Sequence, residues 1–454
     1  MGRLSNIVAA TRTVLAGRGN PAAAVQSVIT KLFALGLNAA TSIIVARVLL
    51  PEGRGEMSAL IAWASLFTGL LTLGLPSSLI FNLRHKPEAG SRTVGAAFML
   101  AAAIAVLAGV LGYIAIPFWL SKYPPADITY ARWFLLSTPI PIINLVTCAA
   151  LQAEGKFAHA NTIAWSGPLV TFLSLIVLGA THALTPVTGG FVYVVGSVPT
   201  MLWLLVSLWR DYAPEFRNVW DTWSNLLNYG FRSWGTDLLN TLAGQADLLL
   251  IVYFLSPKSM GIYVVSANFA RLLTVFQTSA ATVLFPRVAA RARAEVVSLT
   301  GQTLRITIMC AVVGALVLGS VGSFLLRVVY GAEYAASGTI VFRILLCEVV
   351  LGGATDVLAQ AFMALGRPGV VSIIQGTGIG FGLALMPALI PRFGIVGAAL
   401  ALVVATSIRF VLTFLCFQPL LRSAPPKLVM TRDDWQLAMA RVAKFVPASR
   451  AVGD

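Results

Sequence analysis

The sequence predicts an all-α polytopic membrane protein, with about twelve transmembrane helices in two pseudo-symmetric six-helix halves around a central cavity. Three observations carry that expectation. The 454 residues are 58% hydrophobic and only 11% charged, with a mean hydropathy of +0.85, which is too apolar for a water-soluble globule. About twelve apolar runs approach the ~20 residues that a helix needs to cross the hydrocarbon core. Weak self-similarity recurs at nearly one offset along the whole apolar region.

The runs lie near residues 23–49, 57–83, 93–120, 131–153, 160–183, 186–209, 227–255, 260–285, 301–329, 337–364, 369–391 and 394–421. None alternates apolar and polar residues as the strands of a membrane barrel would. Residues 1–20 carry Arg3, Arg12 and Arg18 but no continuous apolar core or small-residue cleavage site, so no removable signal peptide is expected. Asn20 followed by Pro21 reads as a helix N-cap with proline at the first helical position.

Charge orients the chain. With a cytoplasmic N-terminus, the cytoplasmic segments hold about 20 Lys and Arg, among them Arg84, Lys86, Arg92, Lys156, Arg210 and Arg367. The other side has Arg54, Lys122, Lys258, Arg327 and Arg392, with Arg132 at a helix start. The positive-inside rule therefore favours two cytoplasmic termini. The net charge of +15 follows from that topology and from contact with anionic membrane lipids, without nucleic acid as a partner. The expected organisation is a cytoplasmic N-terminal segment (1–22), an N-terminal six-helix half (23–209), a Trp-rich cytoplasmic connection (210–226), a C-terminal six-helix half (227–421) and a cytoplasmic amphipathic tail (422–454). In that tail Thr431 and Asp434 suggest a capping box, and Trp435, Ala438, Met439 and Val442 share one face.

The two halves repeat one another. Pro51 and Gly55 are echoed by Pro257 and Gly261, 206 residues on. Ala153, Gly155 and Lys156 are echoed by Ala364, Gly366 and Arg367, and Arg132 by Arg343, 211 residues on. Six spans per half is an even number, so the repeats are parallel, with a cavity expected between them.

These residues resemble a known family. The run from Ala46 and Arg47 through Pro51 to Gly55, then Asp247 through Gly261-Ile262-Tyr263 to Phe285-Pro286-Arg287, the Tyr330-to-Tyr334 loop, and Phe393-Gly394 through Gly397 are similar to the polysaccharide-transporter and O-antigen flippase family. That family belongs to the multidrug/oligosaccharidyl-lipid/polysaccharide exporter superfamily. The resemblance implies two lobes around a cationic lumen, alternating access, and an undecaprenyl diphosphate-linked oligosaccharide as cargo for surface polysaccharide synthesis. It also implies a polysaccharide polymerase or export machinery as a partner. The two extra spans usual in the superfamily's lipid II branch are not found.

Ionisable residues inside spans are costly, and by default they mark function. Lys31, Arg232, Arg271, Arg343 and Arg409 lie within runs, with Arg47 and Arg132 nearer the outer face. Arginine in bidentate form and lysine as a mobile point charge would compensate a diphosphate. For Arg47, Arg132 and Arg232 the competing account is snorkelling to a headgroup. Polar stripes accompany the cations: Lys31, Asn38 and Ser42 in span one, Arg232, Thr236, Asn240 and Asp247 in span seven, and Asn268, Arg271 and Thr278 in span eight. In lipid such faces must meet water or protein, and interhelical polar contact is their competing account. Substrate-binding candidates are thus Lys31, Asn38, Arg232, Arg271, Arg343 and Arg409.

Asp237, Asp247, Glu348 and Asp356 lie at membrane depth. A buried carboxylate can take up H⁺ or bind Na⁺ and so couple transport to a gradient, or it can neutralise a nearby cation. Asp237 aligns with Lys31 across the repeat as one such pair. No phosphate-cradling GxxxxGK[ST] is present, and Cys148, Cys310, Cys347, Cys416 and the three histidines are isolated, so no cofactor or metal is expected. The glycine-rich run Gly376 to Gly382 reads as small-residue helix packing. Competing functions are a membrane polymerase or glycosyltransferase, which the short outer loops disfavour, and multidrug export, which the surplus of intramembrane cations disfavours. The expectation is a transporter and not an enzyme.

Overall fold

The computed structural model describes residues 20–428, apart from 217–218, 276, 278–279, 281–283 and 285–291. The expected tail helix and Phe285-Pro286-Arg287 lie outside the described residues. All regular structure among those described is helical.

Helix α1 (Asn20–Leu71) holds the first expected span and the first part of the second (57–83), divided at Leu50, whose φ of 58° is left-handed. The cause is Pro51, which excludes its predecessor from the helical basin and removes one backbone donor. The second span therefore starts at Pro51 rather than at 57. A turn at Gly74 (φ 68°) leads into α2 (Leu75–His85). Next come α3 (Gly90–Trp119), α4 (Pro125–Phe134) and α5 (Pro139–Ala153), the last two joined by a 3₁₀ turn over Leu135–Ser137. The apolar run 131–153 is thus interrupted, since Pro139 cannot continue a helical hydrogen-bond ladder and instead starts a new helix. The same device separates α7 (Pro186–Val195) from α8 (Val198–Tyr212) beside Pro199, after α6 (Phe157–Ala180).

Helix α9 (Val219–Phe254) starts within the segment read as a connection, because Trp223 docks, its indole N–H donating to the Ala96 carbonyl at 2.8 Å. Helix α10 (Pro257–Arg271) follows. The C-terminal region has α11 (Arg293–Leu325), running into a π turn over Leu326–Tyr330, then α12 (Ala332–Ala364), α13 (Pro368–Phe393), α14 (Ile395–Leu415) and the short α15 (Phe417–Leu421). Nine described segments are long and apolar enough to cross a membrane, the first spanning the Leu50 break. Neither α9 nor α10 is among them: α9 carries Arg232, Asp237 and Asp247, and α10 is short. The chain is an all-α multi-pass membrane protein with about twelve transmembrane helices. Large side chains such as Val106, Phe118 and Leu316 are more than 60% exposed, as suits helices whose outer faces meet lipid.

The chain forms two compact units. One comprises Met1–Phe269, Phe324–Val341 and Leu383–Ala401, and the other Ala270–Ser323, Phe342–Gly382 and Leu402–Asp454. The first unit is packed around Leu79, Val94, Ala97 and Leu204, with a smaller cluster at Val45, Met57 and Leu175. The second is packed around Val357 and Phe362, whose ring meets Phe417 edge-on at 5.1 Å.

Within the first unit the two Pro-Gly echoes meet. A Cβ on Gly55 would overlap the carbonyl oxygen of Pro257, and a Cβ on Gly261 would overlap that of Pro51. The contact is reciprocal and made by backbone alone, which glycine permits by having no side chain. Neighbouring ties reinforce it. Arg47 donates to the carbonyls of Val328 and Val329 at the end of the π turn, where helix carbonyls lack intrahelical donors and a cation complements the dipole. The Tyr334 hydroxyl donates to Ala46 O at 3.2 Å, and Lys122 to Phe254 O at 2.6 Å.

Candidate functional site

In the first unit the α1 stripe is partly realised. Asn38 is exposed, while Ser42, one helical turn further on, is buried; the side chain of Lys31, and with it a pairing to Asp237, lies outside the described residues. On α9 Arg232 is exposed and Asp237 half-buried, and the side chains of Thr236 and Asn240 are not described. Asp247 is 3% exposed and accepts a 2.8 Å hydrogen bond from the Tyr263 hydroxyl. That bond joins α9 to α10.

The second unit brings more of the candidates together. Arg271 is exposed at the end of α10. Arg343 is exposed on α12, its Nε donating to the Gly319 carbonyl of α11 at 3.1 Å. Glu348, five residues on and half-buried, accepts a 3.0 Å hydrogen bond from the buried Thr406 of α14. The two charged residues use different partners, as their spacing on one helix leads one to expect.

Two turns along α12, Asp356 lies 3.6 Å from Arg409 of α14, with side chains 64% and 20% exposed. Gly378 of α13 makes room for this arginine, since a Cβ there would overlap the Arg409 stem. The glycine-rich run thus packs against a charged side chain as well as apolar ones. Thr355, Gln375 and Thr413 surround the pair and enclose a cavity of about 30 Å³, the space of roughly one water molecule. Neutralisation of a cation by an acid is therefore seen at Asp356 and Arg409. The resulting ladder, Glu348 to Thr406 and Asp356 to Arg409, sets two carboxylates of α12 against polar side chains of α14.

Sequence reasoning missed two features. Arg54, counted above only among the cations of the outer side, is 5% exposed, its Nη1 4.0 Å from Met57 Sδ; it sits one residue from the Gly55 contact, and hydropathy does not reveal its burial. Arg132 packs its guanidinium 4.2 Å from the centroid of the Tyr113 ring, and no periodicity signals that pair. Among the described residues no group of three or more His, Cys, Asp or Glu is placed to hold a metal.

The model of a family described as polysaccharide biosynthesis protein matches residues 24–292, more than half of the chain. The chain belongs to this family. A curated relative, the probable low-salt glycan biosynthesis flippase Agl15 of Haloferax volcanii, is 22% identical over 222 residues, covering 48% of this chain and 46% of the relative. The match thus spans about half the relative's length. Among solved structures, the chain is similar to lipid II flippase MurJ in an inward closed conformation, with a TM-score of 0.77, 13% identity and 94% of each chain covered. It is also similar to an inward-facing multidrug resistance MATE family transporter of the MOP superfamily, at a TM-score of 0.68 and 15% identity, covering 87% of this chain and 99% of the other. These likenesses show that the chain shares the fold of those two structures.

Proposed function

We propose that this polysaccharide biosynthesis family member is a flippase that moves an undecaprenyl diphosphate-linked oligosaccharide across the cell inner membrane by alternating access. The observation that carries the proposal is the sign of the charge at membrane depth. Arg232, Arg271 and Arg343 are exposed on helices of a membrane-spanning bundle, and cations at that depth favour an anionic ligand over a cationic one. A diphosphate answers it, through bidentate N–H donation from arginine. Lys31 and Asn38 are assigned to the same ligand from their polar spacing in the first expected span, and the oligosaccharide would travel with its hydroxyls in water.

Coupling to an H⁺ or Na⁺ gradient is assigned to the α12–α14 ladder of Glu348, Asp356 and Arg409, where a carboxylate that gains a proton releases its cationic partner. Asp237 is a second acid with partial exposure. Asp247, held by Tyr263, serves to join helices. Both termini are proposed to be cytoplasmic. Cysteines near Lys122, Lys258 and Glu333 should then react with an impermeant thiol reagent applied outside the cell, and ones near Pro87 and Ala294 should not.

The deciding experiment is deletion of the gene, followed by identification of the lipid-linked glycan that accumulates in the inner leaflet. Accumulation restored to normal by the wild-type chain, and not by Arg271→Gln, supports the reading. Normal glycan export in the deletion strain, in the absence of a second flippase, overturns it.

A further inference from the structure

The first unit carries a groove of about 610 Å³ on its α3, α4–α5 and α8 helices, lined by none of the residues assigned above to transport. Its floor is made of small residues at helical spacing, Ala101, Ala105 and Gly109 of α3, and its lining is almost wholly apolar from Phe98 and Trp209 at one end to Tyr113 at the other. Phe98 and Tyr113 are fifteen positions apart on one helix, so the groove runs for about 22 Å along the helix axis. That is most of the thickness of one hydrocarbon core.

Polarity enters at the Tyr113 end. There the Arg132 guanidinium carbon lies over the Tyr113 ring, 4.2 Å from its centroid, and the buried Nε has no hydrogen-bond partner among the described residues. Among the described residues no carboxylate pairs with Arg132. A guanidinium held over a ring by its central carbon still has N–H donors to offer, and such donors receive phosphate oxygens.

We propose that this groove binds one anionic phospholipid of the surrounding bilayer, an acyl chain lying along α3 and the phosphodiester seated on Arg132. Charge selects this occupant. One cation matches the single charge of a phosphodiester, whereas a diphosphate would remain under-compensated. Apart from Arg132, Thr138 and the rim aromatics, the lining offers no hydrogen-bonding side chain for a glycan. The proposal is independent of the identity of the transported cargo.

The test uses the full chain in nanodiscs of equimolar phosphatidylglycerol and phosphatidylcholine, released into mild detergent and weighed intact by native mass spectrometry. Wild type should retain one phosphatidylglycerol, at least tenfold over phosphatidylcholine. Arg132→Gln should bring that ratio to about one. Gly109→Leu should lower retention of either lipid tenfold or more while the protein stays folded, because a Cβ at Gly109 meets no atom within 4 Å and the leucine would fill only the groove. Equal retention of both lipids by wild type, or unchanged retention in Gly109→Leu, overturns the proposal. So does displacement of the bound lipid by equimolar undecaprenyl phosphate, which would assign the groove to an isoprenoid chain.

Discussion

Two sequence echoes of this chain reach opposite outcomes. At Pro51–Gly55 and Pro257–Gly261 both copies do the same thing, each glycine lying on the carbonyl of the other copy's proline. At Arg132 and Arg343 the copies diverge: one guanidinium stacks on Tyr113 beside an open groove, and the other donates to the Gly319 carbonyl. The first contact is made by backbone, where a single added carbon has nowhere to go, so the repeat is held to one solution. The second is made by long side chains with several rotatable bonds, and each adapts to the helix beside it. Where repeats touch through backbone they stay alike, and where they reach out through side chains they are available for separate tasks.

The largest effect should come from breaking the backbone contact. Gly55→Val or Gly261→Val places a branched side chain into a carbonyl and should cost about 1–3 kcal/mol or more through overpacking, seen as loss of the monodisperse peak in detergent. Gly36→Ala is the control, since a Cβ there meets nothing within 4 Å; the gain in helix propensity should leave it neutral or up to ~1 kcal/mol more stable. Equal yields of all three proteins would mean that the reciprocal contact is slack.

Next in size are the cations, which should affect transport and spare the fold. Arg271→Gln and Arg343→Gln should each cut export about tenfold or more, as expected from removing roughly 1–3 kcal/mol of charge compensation in a setting of low effective dielectric, while protein levels hold. Arg271→Lys should keep part of the activity. Export at wild-type levels in both Gln variants would sink the cationic-path proposal and leave the arginines as anchors.

A smaller change is expected at the α12–α14 ladder. Asp356→Asn removes the carboxylate facing Arg409 and should alter the dependence of export on the H⁺ or Na⁺ gradient more than its rate under a large gradient; an unchanged gradient dependence would show that the pair only neutralises charge.

The smallest effect is at the surface. Lys156 bridges Asp211 at 2.8 Å and Glu154 at 2.7 Å, and these hydrogen-bonded carboxylates, Asp211 first, hold its ammonium above its ordinary pKa of 10.5. A cation whose folded pKa is raised contributes stability that is fully present below its unfolded value and lost as pH rises through the folded one. Lys156→Met should therefore cost less than about 1 kcal/mol at pH 7, as exposed ion pairs do, and the difference from wild type should vanish only in strongly alkaline buffer. A thermal melt series across pH checks both the size and the direction.

Hydropathy, charge asymmetry and the offset repeat were enough to determine an all-helical membrane bundle of about twelve spans, because lipid leaves the backbone no other way to satisfy its own hydrogen bonds along a continuous apolar run. The same reasoning located the ionisable residues, since a charge among apolar neighbours is conspicuous in one dimension. It could not assign their surroundings. That Arg54 is buried, that Asp247 is held by Tyr263, that Gly378 makes space for Arg409 opposite Asp356, and that Arg132 lies on Tyr113 at the end of an apolar groove each depend on residues up to fifty or more positions apart. Periodicity records which face of a helix is polar, but helix packing decides what that face meets. Only the tertiary structure fixes those distances, and at charged groups in a low-dielectric setting a few ångströms separate a structural tie from a site that can bind a ligand.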